Sequence, residues 1–134
     1  MAIEAVITGN LLTNPVQKTV KTSRGEIKIT EMRIMSDVWI QGRDGAESTP
    51  DESKTRPVQI TVWNEALAEL YAGAFRTGMR VEASGDLYLS EHKATEAERA
   101  EGKQDYADLR CDAHRVTLML NRVEKITMRP KAGE

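Results

Sequence analysis

Trp63 shares strand parity with Gln59 and Thr61, opposite the apolar Val58, Ile60 and Val62. An indole on the polar side of a strand offers a flat π surface on which any nucleobase can stack, whatever its sequence context. Its other use there is packing against the start of the helix that follows. Trp39 ends an earlier β-rich run beside a charged loop, where it either stacks or anchors the loop. Tyr88 lies on the polar side of its own run, able to stack or to donate a hydrogen bond, and His92 is either a weak stacking residue or an ordinary loop histidine. Tyr106 is open between the two roles, whereas Tyr71 and Phe75 fall at helical spacing and belong to a core. Stacking alone does not hold a nucleic-acid strand; cations along the phosphate track complete the site. Lys18, Lys21, Arg24, Arg33, Arg56, Arg76 and Arg80 are the candidates, each of which taken singly is equally an ordinary solvated surface charge.

Chemistry of other kinds is poorly supported. The sequence has no phosphate-binding glycine loop, no nucleophile elbow and no pair of isolated carboxylates in an apolar setting, so no catalytic residue is assigned and the chain reads as a non-enzyme. Cys111 alternates with Leu109 and Ala113 as a small buried hydrophobe. With His114 it lacks the further ligands that a zinc site requires, so neither metal nor cofactor is expected.

The chain has 134 residues, enough for one domain. A hydrophobic fraction of 40% with 30% charged residues is ordinary globular composition. No apolar run is long enough to cross a bilayer as a helix, the first residues lack a secretion-signal profile, and the single cysteine suits a reducing compartment. A cytoplasmic location is therefore expected. The formal charge of −2 runs against the basic excess usual in nucleic-acid binders, unless the acids gather in loops and on the helix and leave a basic groove.

The elements that must position these side chains are mostly strands. Residues 3–8 and 16–22 are rich in Val, Ile and Thr, interrupted by turn-prone Gly9-Asn10 and by Asn14-Pro15, where the proline marks a bulge or an edge. Ser23-Arg24-Gly25 turns the chain into a second strand over 26–36, in which a bulge near Thr30 or Glu31 would reconcile Ile27 and Ile29 with Met32 and Ile34. Residues 41–56 read as a mobile loop, and a third strand follows. Asn64 is a good helix N-cap ahead of a helix of about three turns carrying Leu67, Leu70, Tyr71 and Phe75; Gly73 inside it suggests close packing. In the fourth strand Val81, Ala83, Gly85, Leu87 and Leu89 point inward. Residues 91–105 form a frayed helix or hairpin tip, and the fifth strand, 106–119, changes parity between Ala113 and Val116. Strand, strand, strand, helix, strand, strand is the order of an OB barrel: an all-β fold of five strands with one helix between the third and fourth. Residues 1–120 make up this domain, and 121–134 a C-terminal extension or short tail.

Four groups of residues carry a resemblance to the bacterial single-stranded DNA-binding (SSB) proteins. They are Gly9-Asn10-Leu11 with Pro15; Ser36-Asp37-Val38-Trp39; Trp63 with Leu67-Ala68-Glu69 and Arg76-Thr77-Gly78; and Gly85-Asp86-Leu87 with Ala113, Val116 and Leu118-Met119. The resemblance implies an OB-fold homo-oligomer, a tetramer or dimer, that coats single-stranded DNA in replication, recombination and repair. It implies that Trp39 and Trp63 stack on bases, and that Lys18 and Arg76 occupy positions basic in the family. The chain departs from the family pattern at Pro57 and His92, where tryptophans are common, and at Tyr88, Ser90 and Glu91, where groove cations are. Weaker or more salt-sensitive binding is therefore expected. The sequence stops at Pro130-Lys131-Ala132-Gly133-Glu134 without the family's acidic, hydrophobic tip, so recruitment of partners through that tip is not expected. Oligomer contacts are expected from Ala5 and Ile7 on the apolar side of the first strand. The rival assignment is an OB-fold protein-interaction module of a primosome-like assembly that binds nucleic acid weakly.

Overall fold

A computed structural model describes residues 3–37, 39–40, 47–121 and 123–130. The strands are β1 (Ile3–Leu11), β2 (Val16–Thr22), β3 (Gly25–Ser36), β4 (Trp39–Ile40), β5 (Thr49–Pro50), β6 (Arg56–Val62), β7 (Arg80–His92) and β8 (Tyr106–Leu118). Helix α1 (Glu65–Ala74) follows β6, and the short α2 (Glu96–Ala100) joins β7 to β8. One sheet runs β1-β7-β8-β6-β3-β2, and additional pairing of β1 with β3 closes it into a barrel. The six strands are the expected five with the first one broken, because β1 and β2 are separated at residues 12–15. Pro15 lies in that break, where its missing N–H costs no ladder bond. Asn14 Oδ1 holds the break in place by accepting from Thr77 N at 2.8 Å and Thr77 Oγ1 at 2.9 Å.

Alternation does most of the building. Val58, Ile60 and Val62 of β6, with Met32 and Ile34 of β3, Val81 and Ala83 of β7 and Cys111 of β8, form the buried interior. Burial pushes the Cys111 thiol up to about 11, so it stays neutral. Asn64 caps α1, its side chain accepting from Leu67 N at 3.1 Å. The helix then presses Ala68, Tyr71 and Phe75 into the barrel. Tyr71 Oη accepts from Val116 N, and Thr30 Oγ1, fully buried, donates to Ala68 O at 2.6 Å. No helix among the described residues is long and apolar enough to cross a membrane.

Several expectations are corrected. The pairings of β3 with β2 and β6 run through Thr30 and Glu31 without a register shift; the irregularity lies elsewhere, between β7 and β8. There Ser84 faces Arg115 and Gly85 faces Ala113, so His114 is the extra residue that flips the parity of β8. Within 41–56, Thr49–Pro50 pairs with Trp39–Ile40 as a small second sheet; residues 41–46 lie outside the described residues. Leu89 is exposed rather than inward, because β8 pairs β6 only as far as Leu109 and the hairpin projects past the barrel there. Leu70 also faces out, leaving Leu67, Ala68, Tyr71 and Phe75 as the helix stripe. Residues 91–105 hold α2, with a complete Thr95–Glu98 capping box. Residues 123–130 form no regular element; Val123–Ile126 share a groove with Thr77–Arg80 and Leu118.

Gly73 is not closely packed, since a Cβ built there meets nothing within 4 Å. Replacing it with alanine therefore removes only the conformational cost of glycine within a helix. Gly73→Ala is expected to raise unfolding stability by about 0.5–1 kcal/mol, read by urea denaturation.

Candidate nucleic-acid interface

The outer face of β3, β6, β8 and β7 has two adjacent rows of side chains fixed by register. Arg33 pairs with Gln59, Gln59 with Arg110, and Arg110 with Tyr88. Two residues along the strands, about 7 Å away, Glu31 pairs with Thr61, Thr61 with Asp112, and Asp112 with Asp86. Met32, Ile60, Cys111 and Leu87 lie between these rows and point the other way, toward the core. One row thus offers two guanidiniums, an amide and a phenol; the other offers three carboxylates, with the buried Thr61 between them.

Trp63, at the end of β6, is 45% exposed and Tyr88 is 41% exposed, so both rings have free surface. They converge on one carboxylate: Trp63 Nε1 donates to Asp112 Oδ1 at 3.0 Å, and Tyr88 Oη donates to the same oxygen at 3.4 Å. Partial burial, with the Asp112 charge second, holds the Tyr88 phenol above its ordinary range and keeps it protonated as a donor. Farther along the hairpin His92 faces Tyr106 across the strands, with ring centroids 4.8 Å apart. His92 Nε2 also lies 3.4 Å from Glu98 Oε2. Because residues 88, 90 and 92 share one side of β7, this ring pair continues the face that Tyr88 begins.

The cations divide by what already holds them. Arg33 Nη1 reaches Gln59 Oε1 at 3.5 Å, Gln59 donates to Glu31, and Lys18 Nζ pairs with Glu31 at 2.8 Å, so all of these meet on the face. Lys21 and Arg24 stand exposed at the β2–β3 turn, away from the rows. Arg56 is exposed and donates to its neighbour's carbonyl, Thr55 O. Arg76 spends its guanidinium on the carbonyls of Ala72 and Phe75, closing the C-terminal end of α1. Arg80 forks onto Asp37 at 3.0 and 2.9 Å, and that hydrogen-bonded pairing raises its already high pKa. Arg76 and Arg80 therefore have structural partners within the chain. The expectation for the Trp39 side chain lies outside the described residues.

Two residues on this face were missed by sequence reasoning. Arg110 sits between Gln59 and Tyr88, and its Nε is buried with no hydrogen-bond partner among the described residues. Asp112 is the shared acceptor. The signal was present, because reading Cys111 as inward puts 110 and 112 on the opposite face, with Trp63 and Tyr88. Ala5 and Ile7 are corrected in the opposite sense: Ile7 is buried, Ala5 packs against the core, and the exposed apolar residues of β1 are Ile3 and Val6.

No protein-family model matches the sequence, and no curated protein matches it. Solved structures do. A small single-stranded DNA-binding protein from Streptomyces coelicolor superposes with a TM-score of 0.70 at 20% identity, over 90% of this chain and 97% of that one. The SSB of Plasmodium falciparum, in complex with single-stranded DNA, gives a TM-score of 0.58 at 15% identity, over 89% and 95%. At such identities the likeness speaks for the backbone, and the chain has the OB-barrel fold of these two proteins.

Proposed function

We propose that this chain binds single-stranded DNA independently of sequence, as a non-enzymatic SSB-type protein of the cytoplasm serving replication, recombination and repair. The observation that carries the reading is the gathering of Trp63, Tyr88, Arg33, Arg110 and Lys18 on one outer face of the barrel, continued by His92 and Tyr106. Bases stack on the rings while phosphates follow the guanidiniums. Lys21, Arg24 and Arg56 extend the cationic margin, and Trp39 belongs to the same aromatic set. The sequence resemblance and the DNA bound to the Plasmodium neighbour support this reading. Residues 1–120 form the binding domain and 121–134 its extension. Self-association into a dimer or tetramer would use the exposed Ile3 and Val6.

The carboxylates beside the rings favour a second reading, a docking module for another protein, because they weaken the positive field that DNA requires. Titration with dT oligomers of several lengths at two salt concentrations separates the two. DNA binding is expected to quench tryptophan fluorescence and to give a log–log salt slope of roughly −0.7 per phosphate neutralised. Absence of both quenching and salt dependence would leave the docking module standing.

A further inference from the structure

Asp112 is an odd residue to place beneath a base-stacking surface, since a carboxylate repels phosphates. Both of its hydrogen bonds, from Trp63 and Tyr88, fall on Oδ1. Oδ2 takes no hydrogen bond or ion pair among the described residues, and the side chain is only half-buried. Resting on the DNA-binding reading above, we propose that Asp112 adds a base preference to a platform whose stacking accepts any base: it orients Trp63 and Tyr88 through Oδ1 and accepts, through Oδ2, from the exocyclic amine of a stacked base, favouring cytosine over thymine.

The two rows make the geometry consistent. A strand laid with its phosphates over Arg33 and Arg110 puts its bases toward the row holding Thr61 and Asp112, about 7 Å away. The carboxylates then exclude phosphate from that row and fix which side of the strand faces the platform. A carboxylate oxygen accepts well from cytosine N4. Thymine presents O4 at the corresponding place, and two acceptors facing each other repel. Both are pyrimidines of similar stacking area, so the comparison isolates the polar contact.

The substitution Asp112→Asn tests this cleanly. The amide oxygen still accepts from Trp63 and Tyr88, but the Oδ2 position becomes an NH2 donor suited to thymine O4. Affinities for dC and dT oligomers of equal length would be measured by fluorescence anisotropy at mildly alkaline pH, where cytosine is neutral. The ratio of the dT to the dC dissociation constant is expected to be at least about five-fold larger for the natural chain than for Asp112→Asn. Ratios in ratio-form cancel the inherent flexibility advantage of dT, which both proteins experience alike. A ratio left unchanged by the substitution overturns the inference while leaving DNA binding intact. No binding of either oligomer by the natural chain overturns the binding reading, and the inference with it.

Discussion

Trp63→Ala is expected to weaken binding of a dT oligomer by about 5- to 150-fold, the equivalent of the 1–3 kcal/mol carried by one stacked base. The ring has little structural duty to confuse the result: it is 45% exposed and lies outside the buried core. Its polar tie, Nε1 to Asp112, is solvent-accessible and contributes on the order of 1 kcal/mol to folding. The unfolding midpoint should therefore move little while affinity falls sharply. Trp63→Phe supplies the second measurement, because it keeps a π face but loses the donor that fixes the ring. Affinity intermediate between those of the natural chain and Trp63→Ala is expected. An alanine variant that binds as well as the natural chain would show that the indole packs against the neck of α1 and nothing more.

The barrel was legible wherever a strand has one dry face. Val58, Ile60 and Val62 against Gln59, Thr61 and Trp63 gave both the core and the exposed indole, because a period of two leaves no other way to bury the apolar set. The parity change in β8 was legible too, although the bulge was expected in β3; its cause is the extra residue His114. What the sequence could not show is pairing between distant side chains. Trp63 and Asp112 are 49 positions apart and meet only because β6 and β8 run side by side in parallel. Arg80 reads as a phosphate ligand, and nothing in the sequence shows that it also forks onto Asp37, 43 positions earlier. A cation's partner depends on tertiary approach, which composition and alternation do not encode. Leu89 failed for a related reason: its parity is right, but the strand outruns the barrel and the side chain stays exposed.

The same bulge that reconciles β8 also sets the platform, and it depends on one missing side chain. Opposite the extra residue His114, Gly85 lets β7 approach β8 so closely that a Cβ built on it would lie 2.1 Å from Asp112 O and 2.7 Å from Ala113 Cα. These are backbone atoms, which cannot swing aside as a flexible side chain would, so accommodating even a methyl group means separating the two strands. Gly85→Ala is expected to lower stability by about 3 kcal/mol, near the upper end for overpacking, and the thermal midpoint by roughly 10 °C. Gly73→Ala, on the open side of α1, serves as the opposite case, since the same substitution there should stabilise. The effect should reach the binding face as well. The residue whose carbonyl is displaced is Asp112, so Trp63 and Tyr88 lose their common anchor and affinity for DNA falls even in the folded fraction. Denaturation followed by circular dichroism, with binding measured well below the midpoint, separates the two consequences. A Gly85→Ala protein of unchanged midpoint would mean that the β7–β8 hairpin can relax at this point, and the bulge would then not be what fixes the aromatic pair.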